Sequence, residues 1–380
     1  MSYKKSDCPR VLLLAQYDHA GGTRTYAKQL VKFYEQNNFN LTVVAQGPVD
    51  DDDMSEYCRS HRVRFLHISE VAVGRVGPGR MPWRLYRERR TLNTFIAESS
   101  PDIIVASVGT PGLFLGHLGN GRRSIYVLHT SPEHARSKLK RLVNRLIWKV
   151  SIPRGICFIT VSQYARSRML DVWGLDCRKE KVAVIYSSVG SVVVPPEVSQ
   201  ESVQVLTVGH VVDYKNPMFW IEAAAEVVRN LPMMRFLWVG PGPLIDLCRQ
   251  RVTYLGLQKN IQFVGTSENV SKYYEKCDIY VQPSKVENLS LSVLDAMRYG
   301  KPCVVTNVGG FPELVHSGET GWMVDVDDQH ELAQRVIQLA NDPNERKRMG
   351  NSAQAVYASH FYPERWEDEM RKLHDKVLFS

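Results

Sequence analysis

Glu287 and Asp295 stand eight residues apart in the run Pro283-Ser-Lys-Val-Glu-Asn-Leu-Ser-Leu-Ser-Val-Leu-Asp-Ala-Met297, which Gly300-Lys-Pro302 closes. Carboxylates accept hydrogen bonds from vicinal diols, and one beside a reacting carbon stabilises developing positive charge, so the pair suits a hydroxyl-rich ligand. It is electrostatically wrong for a phosphate. Lys215, in Val208-Gly-His-Val-Val-Asp-Tyr-Lys-Asn-Pro217, reaches a phosphate as a point charge, and His210 can donate a hydrogen bond beside it. The amides of Leu289 to Ser292, at a predicted helix start, favour an anion in the same way. Gly21-Gly22-Thr23 follows the first predicted strand and lets backbone approach a ligand ahead of a helix. Each group taken alone is ordinarily a solvated surface residue or a plain turn. Sugar, ribose and diphosphate taken together describe a nucleotide sugar. A GxGxxG dinucleotide fingerprint is absent, which argues against a nicotinamide dehydrogenase.

Positioning these residues requires strands that end at loops. Apolar runs at 11–16, 41–45, 64–67, 103–107, 124–128 and 157–161 alternate with helical patterns, a rhythm that implies parallel βαβ units. Turn residues and Pro195-Pro196 interrupt it, and a second series follows at 205–208, 235–239, 261–264, 279–281, 303–305 and 322–324. The expected fold is α/β: an N-terminal Rossmann-like domain over 1–195, a second over 196–364, and a C-terminal helix over 365–380 packing back on the first. Within the second series, Pro283-Ser284 ends a strand, Ser290 or Ser292 caps a helix, and Gly300 takes its C′ position. Glu287 then sits at the carboxyl end of a strand, where open α/β sheets place ligands.

Composition bounds the alternatives. The 380 residues suffice for two cores, with 44% hydrophobic and 23% charged content typical of a soluble protein. No apolar run nears the roughly 20 residues that span a bilayer, and the N-terminus lacks a signal-peptide core, so a cytoplasmic location is expected. Seven scattered cysteines without CxxC spacing read as reduced thiols, with no metal site. The net charge of +8 is uneven: residues 1–200 carry 29 Lys+Arg against 17 Asp+Glu, a surplus of 12, and the remainder carries 19 against 23.

The chain resembles the retaining GT-B glycosyltransferases of glycosyltransferase family 4. The resemblance is carried by Val208-Gly209 with Lys215, Val239-Gly-Pro-Gly242, Ile261-Gln-Phe-Val-Gly265, Cys277-Asp-Ile-Tyr-Val-Gln-Pro-Ser284, Glu287 with its partner, Gly300-Lys-Pro302, Gly309-Gly-Phe-Pro-Glu313 and Gly318-Glu-Thr-Gly321. It implies two Rossmann-like domains facing each other across an interdomain cleft, and metal-independent, retaining transfer of a hexose-type sugar from a UDP- or GDP-sugar, with no other cofactor. Its implied catalytic residues are Glu287, the first acid of an E-x7-E motif near the donor sugar, and His129, near the reaction centre. Its implied donor-binding residues are Gly21, Gly22, His210, Lys215, Asn288, Leu289, Ser290 and Leu291, with Asp295 at the ribose. Two departures stand out. Asp295 replaces the usual glutamate, one C–C bond or roughly 1.5 Å short, and His210 replaces a common arginine, losing a bidentate fork. A GT-B nucleotide-sugar epimerase and a non-catalytic nucleotide-sugar-binding partner are the alternatives.

The basic surplus points to the acceptor. Arg80, Trp83, Arg84 and Arg87 lie in one arginine-rich stretch, and Lys138, Arg141 and Arg145 in a second that also holds Lys149 and Trp148 and contains no acid. Cations with interfacial aromatics suit an anionic membrane surface or a phosphorylated glycan or lipid-linked acceptor. The expected setting is bacterial surface polysaccharide or lipopolysaccharide synthesis, peripheral on the inner face of the plasma membrane. Nucleic acid is not expected, since no recognition motif accompanies the charge.

Overall fold

The structure, a computed structural model, describes residues 8–16, 21–46, 53–61, 63–68, 93–109, 114–115, 118–119, 121–132, 138–175, 181–194 and 202–379. The chain forms two compact units, Met1–Ile185 with Glu367–Ser380, and Tyr186–Trp366.

In the first unit, strands β1 (Arg10–Gln16), β2 (Asn40–Gln46), β3 (Arg64–Ile68), β4 (Ile103–Val108), β5 (Ser124–Leu128), β6 (Ile156–Thr160) and β7 (Val182–Val184) pair in the order β3-β2-β1-β4-β5-β6-β7. In the second, β8 (Gln204–Val208), β9 (Arg235–Val239), β10 (Ile261–Gly265), β11 (Ile279–Gln282), β12 (Cys303–Thr306) and β13 (Gly321–Val324) pair in the order β10-β9-β8-β11-β12-β13. Every pairing between these strands is parallel. Both sheets therefore have the Rossmann order, in which the chain reverses direction across the sheet between its first and fourth strands. That switch lies between β1 and β4 in one unit and between β8 and β11 in the other.

Continuous burial explains the unbroken apolar strands. All residues of β4, β5, β11 and β12 are buried, as expected of strands covered on both faces. Aromatic side chains fill the space between helix and sheet: Trp220 meets Trp238 edge-on at 5.2 Å in the second unit, and Trp173 meets Phe158 at 6.1 Å in the first.

The second unit starts at Tyr186, earlier than the expected boundary at 195/196. Its hydrogen bonds supply the reason. Tyr186 donates to Glu313 at 2.7 Å, the amide of Val189 to the Tyr357 hydroxyl, and the amide of Val193 to the Arg298 carbonyl. Pro195-Pro196 lies outside the described residues. The last helix, Pro363–Phe379, enters the first unit from Glu367 onward. There Tyr34 and His374 share a 2.8 Å hydrogen bond through Nε2, while His374 Nδ1 lies 2.7 Å from the Met370 carbonyl. The carbonyl can only accept, so Nδ1 carries the proton and the Tyr34 hydroxyl donates.

Candidate functional site

The switch point of the second sheet joins two of the loops singled out by sequence. The loop after β8 turns through a short 3-10 segment, Asp213–Lys215, and the left-handed Asn216 at φ 58°, which together start the helix Pro217–Asn230. The loop after β11 runs from Pro283 to Ser290. Lys215 Nζ lies 2.5 Å from Glu287 Oε2, with both side chains largely buried. Lys285 reinforces the junction, its amide donating to the Tyr214 carbonyl at 2.7 Å and its ammonium to Asp213 at 3.1 Å. A cation and a carboxylate thus meet at the sheet edge where ligands of this fold class bind.

Backbone packing leaves these loops little freedom. A Cβ on Gly240 would overlap the Gly209 carbonyl and one on Gly242 would overlap Val211, so the glycines of Val239-Gly-Pro-Gly242 let the next loop press against the Lys215 loop. Gly309, at φ 60°, is backed in the same way against the Glu287 carbonyl, which also accepts from the Gly310 amide at 3.2 Å. Glu287 is therefore placed by residues from both sides of the switch.

The helix Leu291–Arg298 begins as expected. Ser290 caps it, its hydroxyl accepting from the Val293 amide, and Gly300 closes it at φ 65°. Beneath the cap, the fully buried Gln282 accepts from Tyr280 at 2.7 Å and Ser292 at 3.2 Å and donates to Ser284 at 3.0 Å. Such a satisfied buried network fixes the loop. No acidic residue occupies the first helical turn, so its positive end is left for an outside anion. Leu289 is buried, and the carbonyl of His210 accepts from Val212.

Asp295 lies on this helix and its carboxylate takes Arg298 Nε at 2.7 Å. Burial raises its pKa, partly opposed by the Arg298 charge. Arg298 in turn donates to the Ser191 carbonyl, so the carboxylate helps hold the segment entering the second unit. Arg298 was missed by the sequence reading, although its i, i+3 spacing from Asp295 was available as a signal. Gly309 was read as part of a motif without a role in the site.

In the first unit, Gly21 is the N-cap of the helix Gly22–Gln36, whose first turn also lacks an acid. His129 follows β5. Its Nε2 lies 3.0 Å from the Ser107 hydroxyl, and Tyr26 packs edge-on at 4.6 Å. Some of His129 reaches solvent, but the ring lies deep enough that desolvation lowers its pKa to about 4. The imidazole is neutral near pH 7. Across the switch, the Gly109 amide donates to Gln16 at 2.9 Å.

Two family descriptions match the chain. Residues 20–190 match Glycosyltransferase Family 4, and residues 195–356 match Glycosyl transferases group 1. The chain belongs to glycosyltransferase family 4. Among relatives, it is 30% identical to N-acetyl-alpha-D-glucosaminyl L-malate synthase of Bacillus anthracis over 158 residues, 42% of this chain and 41% of that protein. It is 29% identical to UDP-Gal:alpha-D-GlcNAc-diphosphoundecaprenol alpha-1,3-galactosyltransferase of Escherichia coli over 138 residues, 36% of each. The matches thus span less than half the length of these relatives. Among solved structures, Anabaena HepE in complex with UDP-glucose superposes with a TM-score of 0.74 at 20% identity, covering 97% of this chain and 100% of that one. The fold class is GT-B.

The acceptor candidates read from the basic stretches are less fully placed. Arg80, Trp83, Arg84 and Arg87 lie outside the described residues. Lys138, Arg141 and Arg145 lie on the helix Lys138–Ser151, where Arg145 is half-buried and pairs with Asp171 at 3.4 Å. Among the described residues no helix is long and apolar enough to cross a membrane.

Proposed function

We propose that this chain moves a hexose-type sugar from a UDP- or GDP-sugar to a glycan or glycolipid acceptor, retaining the anomeric configuration and using no metal ion. The observation that carries the proposal is the Lys215–Glu287 pair at the β8/β11 switch, beside the Ser290-capped helix start. A departing nucleoside diphosphate gains negative charge as the sugar C1–O bond breaks. Lys215 and the amides from Asn288 to Leu291 offset that charge. Glu287 then exchanges its contact with Lys215 for the sugar. His210 lies beside the diphosphate. Asp295 reaches the ribose at the expense of its bond to Arg298.

In this reading the second unit binds the donor and the basic first unit the acceptor. The Escherichia coli relative's named acceptor carries a lipid-linked diphosphate, and the charge surplus of 12 in residues 1–200 is consistent with an anionic acceptor of that kind. The setting is synthesis of bacterial surface polysaccharide or lipopolysaccharide at the cytoplasmic face of the membrane. A thermal-shift panel of UDP-, GDP- and ADP-sugars tests the donor half, followed by nucleoside-diphosphate release with and without a diphosphate-linked lipid sugar. Stabilisation by one donor and acceptor-stimulated release are expected. Indifference to every donor would refute the reading.

A further inference from the structure

The helix Lys138–Ser151 has two apolar sides, and only one of them faces the core. Trp148 stacks on Trp173 at 5.1 Å, and Ile152, just past the helix end, is 1% exposed. On the helical wheel, at about 100° per residue, Leu139, Leu142, Val143, Leu146 and Ile147 group on the side opposite Trp148. They are 71%, 57%, 45%, 55% and 55% exposed. Their spacing of i, i+3, i+4, i+7 and i+8 is that of a stripe made to be covered. A contiguous exposed apolar face marks an interaction surface.

Charge selects what covers it. The helix carries Lys138, Lys140, Arg141, Arg145 and Lys149 and no acid, and Arg145 pairs with Asp171 of the neighbouring helix. A second copy meeting this face in a symmetric dimer would bring its lysines at positions 138, 140 and 149, which flank the stripe on the wheel, alongside the first three. An anionic lipid surface offers an apolar interior beneath a layer of opposite charge.

We propose that the helix Lys138–Ser151 lies in the plane of an anionic membrane, its five-residue apolar stripe entering the boundary between headgroups and acyl chains while the lysines at positions 138, 140 and 149, which flank the stripe on the wheel, meet lipid phosphates. Trp148 and Arg145 hold the helix to the protein, so the stripe projects from a fixed base. The proposal deepens the acceptor half of the function above and needs none of its donor chemistry.

Sedimentation of the full chain with vesicles of phosphatidylcholine, alone or with phosphatidylglycerol, tests it. The chain should sediment with the anionic vesicles and release them as salt rises. Leu142→Ser combined with Leu146→Ser should weaken this binding at least about tenfold, with the thermal midpoint unchanged because neither side chain belongs to the core. Lys140→Gln with Lys149→Gln should weaken it at low salt and flatten the salt dependence. The proposal falls if anionic lipid adds nothing, if the serine variant binds like the unaltered chain, or if the stripe instead holds a dimer that the serine variant dissociates. Donor binding measured on the same preparations separates the two readings: it persists if only the membrane face is wrong.

Discussion

At the scale of single residues, Lys215 and Glu287 carry the account. They are 72 positions apart, yet share a 2.5 Å contact. Replacing either by alanine should cut nucleoside-diphosphate release at least about tenfold, a loss of about 1.4 kcal/mol of transition-state stabilisation. Near-normal release in both variants would contradict the site. Gly309 makes a separate prediction, because a Cβ there strains a left-handed backbone and overlaps the Glu287 carbonyl. Gly309→Ala should cost about 1–3 kcal/mol of stability and lower release by moving Glu287, whereas Gly318→Ala, also left-handed but without a backbone clash, should leave release unaffected. Denaturant titration and release assays on the two variants check this. The residue types of the site were legible in sequence because carboxylate, lysine and glycine each have a distinctive chemistry. Which of them touch was not, since side-chain identity carries no information on which loops meet.

At the scale of elements, local signals sufficed wherever the determinant was local. Ser290 caps its helix and Gly300 closes it, both as the turn chemistry predicts. β7 is three residues long, too short for periodicity to reveal, and the sequence reading did not place it as a strand. The helix Lys138–Ser151 displays the limit most clearly. Its cations can be counted from sequence, but which side meets the core depends on Trp148 finding Trp173.

The last helix carries a pH dependence. Burial lowers the pKa of His374 to about 4, as it does for His129. The unfolded chain protonates these side chains near 6.5, so between pH 6.5 and 4 it binds protons that the folded chain does not, and stability falls as the pH falls. His374, which is fully buried, withdraws up to about 3 kcal/mol over that window. Denaturant titrations at pH 7 and pH 5 should reveal the loss, and His374→Gln, which can accept from Tyr34 without titrating, should flatten it. Equal pH slopes in both proteins would exclude His374 as a source.

At the scale of the whole molecule, two tandem units were legible because alternating strand and helix patterns restart after residue 200. The boundary was not, since the contacts that place it, from Tyr186 to Glu313 and from Val189 to Tyr357, join residues over a hundred positions apart. Strand order is likewise a non-local property. Only the adjacency of β8 and β11 turns two separate motifs into one candidate site. Two cores also imply that a donor bound to the second unit alone stabilises that unit, by about 2.7 kcal/mol at a hundredfold excess over Kd.

The most direct measurement is calorimetric titration of UDP- and GDP-sugars into the unaltered chain and into Lys215→Ala. Saturable binding of one donor, weakened at least about tenfold by the substitution, is the predicted result. Equal affinity in both proteins, or no binding of any donor to the unaltered chain, would contradict a donor site at the β8/β11 switch.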